Sequence, residues 1–230
     1  MRKVMTRLAL LGTVLLSLGA WSGRASQVRG QITVEPKMAR KTLAPAVYEL
    51  RGMSIRDRTP ASGGNPTALK VAIWLDAPRL SPPPPVRAAM QQRDRHLVPD
   101  VLIVPVGSTV EFPNLDPIFH NIFSLSPARP FDLGYYPEGK SRNVTFSRTG
   151  IVQVYCHIHP EMYGVVVVTS SPWFAQPASD GTFLWPDVPA GKYRLMMWQK
   201  SAGIIVRNLS VPESKTVVVR IALPEEAPDN

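Results

Sequence analysis

The chain carries one cysteine, Cys156, and four histidines among 230 residues. A lone thiol cannot close an intramolecular disulfide, so no disulfide framework supports the fold. Four imidazoles are fewer than multicopper oxidases or di-zinc hydrolases consume, which excludes both classes. There is no C-x2-C pair, no phosphate-cradling glycine loop and no serine in a nucleophile-elbow setting, so zinc-ribbon, nucleotide-binding and serine-hydrolase chemistries have no starting point. Helical periodicity is almost absent as well, and glycine is outnumbered by proline, 15 to 24. What remains is 44% hydrophobic and 19% charged, a globular composition long enough for one large or two small domains.

Basic residues are in excess, with a formal net charge of +9. Part of that excess lies at the start: Arg2, Lys3 and Arg7 precede an apolar run, Leu8–Ala20. A basic segment followed by an apolar one of this length predicts a secretory signal over residues 1–25, cleaved after Ala20 or Ala25. The run is too short for a stable membrane span, and no cysteine follows it to take a lipoprotein anchor. Cleavage after Ala25 removes four basic residues and no acidic one, lowering the net charge from +9 to +5. The scattered basic residues do not form a nucleic-acid footprint; they suit acidic protein partners or envelope polyanions. The expected location is periplasmic or secreted. A thiol that persists there needs protection by burial or by a metal.

Runs of β-branched residues recur between turn residues: Val28–Val34, Leu69–Leu75, Val101–Val106, Thr109–Phe112, Arg142–Phe146, Ile151–Tyr155, Val165–Thr169, Tyr193–Trp198, Ile204–Val211 and Thr216–Leu223. Short strands at this spacing predict an all-β sandwich or barrel. Ser147–Gly150 reads as a hairpin turn. Pro82–Pro85 is stiff and extended, Ser170–Pro172 reads as a second boundary, Arg56–Pro66 as a polar loop, and residues 224–230 as a frayed tail.

Cys156, His159 and Met162 fall on one tight loop between two predicted strands, spaced C-x2-H-x2-M. Upstream, Pro113-Asn114-Leu115-Asp116-Pro117-Ile118-Phe119-His120-Asn121 brings a second imidazole near a strand end. A thiolate, two imidazoles and a thioether are the ligand set of blue-copper sites, acceptable to both Cu(I) and Cu(II). The stretch V-G-S-T-V-E-F-P-N-L-D from Val106, the His120-Asn121 pair and the short ligand loop together resemble the cupredoxins, the loop being most similar to that of amicyanin. That resemblance implies a Greek-key β-sandwich over residues 84–170. It implies His120, Cys156 and His159 as equatorial copper ligands, Met162 as the axial one, and Asn121 as a residue stitching the two ligand loops together. Glu161 is the alternative axial donor, through oxygen. His157 follows the cysteine on the alternating strand and is expected to point away from the metal; His96, in a charged segment, is expected at the surface.

Residues 179–223 contain Asp180-Gly181-Thr182-Phe183 and Pro189-Ala190-Gly191-Lys192-Tyr193. This D-G-x-F then P-x-G-x-Y pattern resembles a transthyretin-like, carboxypeptidase-regulatory β-sandwich, a module that ordinarily opens with strands such as Val28–Val34 and Val71–Leu75. The expected organisation is therefore an insertion, with residues 27–80 and 171–223 forming a second small sandwich around the copper domain; the alternative is a serial arrangement in which Val28–Leu75 belongs to the copper domain and the C-terminal strands form a small appendage. Trp173, Trp185 and Trp198 are expected in its core rather than on a sugar-stacking platform. The reading that follows is a non-enzymatic, single-electron copper carrier whose transient partners are redox proteins, a cytochrome or a copper enzyme. A periplasmic copper carrier or scavenger and an envelope carbohydrate-binding module with an incidental copper site are the alternatives.

Overall fold

The structure is a computed structural model that describes residues 25–35 and 70–224. The leader before Ala25, the Arg56–Pro66 loop and the tail beyond Pro224 lie outside the described residues. Every regular element among those described is a strand: β1 (Ser26–Glu35), β2 (Val71–Asp76), β3 (Arg87–Ala89), β4 (Gln91–Arg93), β5 (His96–Val98), β6 (Val101–Pro105), β7 (Thr109–Pro113), β8 (His120–Ser124) and β9 (Phe131–Tyr136). They continue with β10 (Ser141–Thr145), β11 (Gly150–Cys156), β12 (Tyr163–Thr169), β13 (Phe174–Ala175), β14 (Thr182–Val188), β15 (Gly191–Gln199), β16 (Gly203–Val211) and β17 (Thr216–Pro224). The all-β architecture expected from the sequence is the one found. No helix among the described residues is long and apolar enough to cross a membrane.

The central segment makes one sandwich. Its larger sheet runs β6-β12-β11-β8-β9 and its smaller one β10-β7-β3, with β4 and β5 paired as a separate hairpin. Val110, Phe112, Ile122, Phe146, Val152, Val154 and Val166 fill the space between the sheets, and Cys156 and Met162 belong to the same core. Two pairings here are parallel, β6 with β12 and β3 with β7, while β11 runs antiparallel to both of its neighbours, β12 and β8. The expected hairpin at Ser147–Gly150 is not formed. β10 pairs with β7 and β11 with β12, so this turn carries the chain from one sheet to the other. Phe146 holds the end of β10 in the smaller sheet, because its side chain is fully buried, its amide donates to the Ser108 carbonyl and its carbonyl accepts the Gly107 amide, just beyond the β10–β7 pairing.

The second sandwich combines strands from both ends of the chain. β1 lies between β14 and β17, and the facing sheet runs β13-β2-β15-β16. Val28, Ile32, Ile73, Leu75, Trp185, Leu195 and Ile221 share its core. The Asp180-Gly181 pair has a backbone reason. Gly181 adopts φ of 82°, and a Cβ there would lie 1.9 Å from the Ile32 carbonyl oxygen, so only glycine fits. The Asp180 carboxylate accepts the Thr182 amide and hydroxyl, starting β14. Trp185 is buried in this core, Trp173 is half-buried and packs edge-on against Tyr193, and Trp198 is buried instead in a cluster shared with the central sandwich.

The two sandwiches share a third apolar cluster: Ala72 and Trp198 pack against Val101, Ile103, Val165 and Val167. This explains the unbroken Val165–Val168 run. Val166 and Val168 face the core of the central sandwich while Val165 and Val167 face the neighbouring sandwich, and a strand buried on both faces reads as continuous hydrophobic sequence. The chain crosses between the bodies at Pro82–Pro85, which takes no regular structure, and at Ser170–Pro172. Ser171 is buried and its hydroxyl bonds the Trp173 backbone.

We propose that residues 84–170 are a self-contained unit inserted into the second sandwich. Residues 82–171 expressed alone should then fold cooperatively, with a lower melting temperature than the full chain because the Val101, Ile103, Val165 and Val167 face loses its cover. A fragment that stays unfolded but is rescued by residues 27–81 without the C-terminal strands would assign β1 and β2 to the central unit instead. Circular dichroism against temperature reads both outcomes.

Candidate metal centre

Three donors meet at one end of the larger central sheet. His120 opens β8, Cys156 closes β11, and the two strands pair antiparallel with Cys156 opposite Ile122, so both ligands stand at the same edge. After Cys156 the chain turns back into β12 through a loop closed on itself. The Cys156 amide donates to the Met162 carbonyl over 3.2 Å, and the Met162 amide to the His159 carbonyl over 3.0 Å. The two bonds fix the loop that carries His159.

The side chains converge accordingly. Nδ1 of His120 lies 3.0 Å from Nδ1 of His159, and the Cys156 Sγ lies 3.7 Å from the first and 3.6 Å from the second. Nitrogen and sulfur donors holding one ion at about 2.0–2.3 Å stand roughly 3.5–3.8 Å apart. The two sulfur–nitrogen separations match this and the nitrogen–nitrogen one is shorter, so the three groups fit one ion once the two rings part slightly. They form the one cluster of at least three histidine, cysteine or acidic side chains found among the described residues. His120 is fully buried, Cys156 is 6% exposed and His159 is half-buried. Met162 is fully buried in the core that contains Cys156. Two imidazoles, one thiolate and a neighbouring thioether are the donor set of a type 1 copper site.

The remaining candidates separate cleanly. Glu161 is exposed, its carboxylate lies 3.9 Å from Arg95 Nε, and it is not part of the donor cluster. The buried residue of the pair is Met162. His157 is exposed and its ring rests on Phe123, centroids 5.1 Å apart, on the side away from the donors, as strand alternation requires. His96 is exposed, with Nδ1 2.7 Å from the Asp94 carbonyl. Asn121 does not bond the Cys156 loop. Its amide NH2 donates to Asp132 Oδ1 on β9 over 2.7 Å and its own oxygen has no partner among the described residues, so the stitch it provides joins β8 to β9. The Gly134 amide and the Asn121 side chain, both donating to it, hold the Asp132 carboxyl below its ordinary value.

Two residues close to the ligands carry structural roles that the motif alone did not reveal. Asn114, fully buried, donates to the carbonyls of Ile118 (2.8 Å) and Tyr136 (3.1 Å) and accepts the Asp116 amide (3.0 Å). It sets the path of the loop into β8. Asp116 lies four residues before His120 and its Oδ2 is 2.8 Å from His120 Nε2. Burial alone would raise its carboxyl; the Arg95 amide, the His120 ring and the Asp94 amide outweigh that and hold it below the ordinary carboxylate value. The readable signal was an acidic residue one short loop ahead of a ligand histidine, where it can reach the far ring nitrogen.

No protein-family model matches the chain, and no curated protein matches it. Solved structures align with part of it. A copper-containing nitrite reductase (NirK) from Thermus scotoductus SA-01 is 31% identical over 38% of this chain and 23% of its own, with a TM-score of 0.34; the chain thus spans less than a quarter of that protein. A purple cupredoxin from Nitrosopumilus maritimus is 26% identical over 36% of this chain and 99% of its own, TM-score 0.33. A reduced amicyanin mutant is 24% identical over 35% of this chain and 80% of its own, TM-score 0.34.

The two axial candidates are separable by voltammetry of the copper-loaded chain. Met162→Gln should retain copper and lower the reduction potential, because a harder oxygen donor favours Cu(II) over Cu(I), while Glu161→Gln should leave the potential nearly unchanged. A large shift in Glu161→Gln with none in Met162→Gln would make Glu161 the axial donor.

Proposed function

We propose that the chain is an exported type 1 copper protein of the cupredoxin kind that carries single electrons between redox proteins, a cytochrome or a copper enzyme among them. The observation that carries this reading is the convergence of His120 Nδ1, His159 Nδ1 and Cys156 Sγ within 3.0–3.7 Å on paired strands and a bonded loop. Copper bound there supplies a one-electron Cu(I)/Cu(II) couple. The protein's part is to keep the donors in place: two are anchored at the ends of adjacent strands, and the third sits on a loop closed by two backbone bonds. Rigid donors that suit both oxidation states leave little to rearrange when an electron moves. With His120, Cys156, His159 and Met162 all engaged, no position stays open for substrate, which favours a carrier over a catalyst.

His159 is the nitrogen ligand nearer the surface, and its ring edge is the exit for the electron. The loops beside it expose Leu115, Ile118, Phe119 and Ile158, each between 40% and 56% accessible, with Pro117 and Pro160 also exposed. An apolar rim of this kind suits brief docking that water can re-enter. The leader read over residues 1–25 supports a periplasmic or secreted location. The D-G-x-F and P-x-G-x-Y pattern supports a transthyretin-like second sandwich, which serves here to cover the outer face of β6 and β12.

The full chain loaded with copper should bind one ion and show an intense visible thiolate-to-copper absorption that ascorbate bleaches reversibly. Cys156→Ser should abolish the band, because the charge transfer requires the Cu–S bond. Ready loss of the copper to a weak chelator would favour a copper-delivery protein, and a band that survives in Cys156→Ser would overturn the ligand assignment.

A further inference from the structure

The β4–β5 hairpin lies outside the copper ligands and turns through two residues, Asp94 and Arg95, both at positive φ (52° and 56°). Such a two-residue turn matches the twist of its strands but asks both residues to adopt a conformation that side chains resist. Successive residues bent this way aim their amide N–H groups into one concavity, an anion-binding nest. The Asp116 carboxylate occupies it: the Asp94 amide donates to Oδ1 over 2.5 Å and the Arg95 amide to Oδ2 over 2.9 Å. The hairpin itself is docked on the ligand loop, since the Leu115 amide donates to the Gln92 carbonyl and buried Gln92 donates to the Phe112 carbonyl and the Tyr136 hydroxyl.

The carboxylate so held meets His120. An ionised carboxylate only accepts, so the nitrogen facing it, Nε2 at 2.8 Å, carries the proton. A neutral imidazole then keeps its lone pair on Nδ1, the nitrogen turned toward Cys156 Sγ. Asp116 is 5% exposed and, among the described residues, its donors are amides and a ring N–H rather than a guanidinium or ammonium, since the Arg95 guanidinium turns to Glu161. A buried negative charge without a formal counter-charge favours the more positive state of whatever ion its histidine holds, because little water screens it.

We propose that Asp116, seated in the Asp94–Arg95 nest, is a positioning residue of the copper site that fixes the His120 tautomer and biases the site toward Cu(II). The proposal rests on the type 1 copper reading, and its test separates the two. In the copper-loaded full chain, Asp116→Asn should raise the reduction potential and weaken Cu(II) binding by about 10–100-fold, with Cu(I) binding less affected. Glu161→Gln removes an equal charge from the surface nearby and should do neither. A blue Asp116→Asn protein with wild-type potential and Cu(II) affinity would overturn the proposal and leave the copper reading intact. A wild-type chain without the blue absorption would overturn the copper reading instead. If Asp116→Asn does not fold, nitrogen-15 NMR of the copper-free wild-type chain decides. An exchange-protected Nε2–H on His120 supports the positioning role, and a proton on Nδ1 overturns it.

Discussion

Antiparallel pairing of β8 with β11 is the constraint on which the metal centre depends, because it sets the start of one strand beside the end of the other. With Tyr155 opposite Phe123 and Cys156 opposite Ile122, the first residue of β8 and the last of β11 share an edge of the sheet. A one-residue slip of that register would turn Cys156 to the opposite face. The register is secured by burial, since Ile122, Val152 and Val154 are all fully enclosed in the core between the sheets. The metal centre is thus an edge of the hydrophobic core, and Cys156 and Met162 belong to both.

Around that edge the protein adds successive layers of support. The Cys156–Met162 loop is held by its own backbone bonds, and the loop into β8 by the buried amide of Asn114. The Asp94–Arg95 turn braces Asp116 from outside. The second sandwich acts at a longer range. Trp198 and Ala72 cover Val101, Ile103, Val165 and Val167, so the sheet that carries the ligands is shielded on its outer face too. Among the described residues, the apolar rim beside His159 is left uncovered by either sandwich.

Most of the strands were legible because their β-branched runs are long and bounded by turn residues; all ten predicted runs are strands, with ends moved by a few residues. The strands left unread have short or interrupted patterns. β8 spans five residues and begins on a ligand, β9 is broken by Gly134 at φ of 62°, and β4 and β5 are three-residue strands rich in polar side chains. The Ser147–Gly150 turn misled because a turn sequence specifies a reversal and not the sheet entered next. Cys156, His159 and Met162 were readable from spacing within one loop, and His120 from its place before a strand. Asp116 showed only its place four residues before His120; its seating was not legible, because it needs a turn 21 and 22 residues upstream to fold against it, and no local pattern encodes that meeting. Nor does the sequence show that Asn121 reaches Asp132 rather than the Cys156 loop.

The central claim is that one rigid set of donors holds copper in both oxidation states. X-ray absorption at the copper edge, recorded on the oxidised and the reduced protein, addresses it directly. The account predicts one short sulfur and two imidazole nitrogens in both spectra, with distances nearly unchanged between them. Loss of an imidazole or replacement of the sulfur on reduction would contradict it.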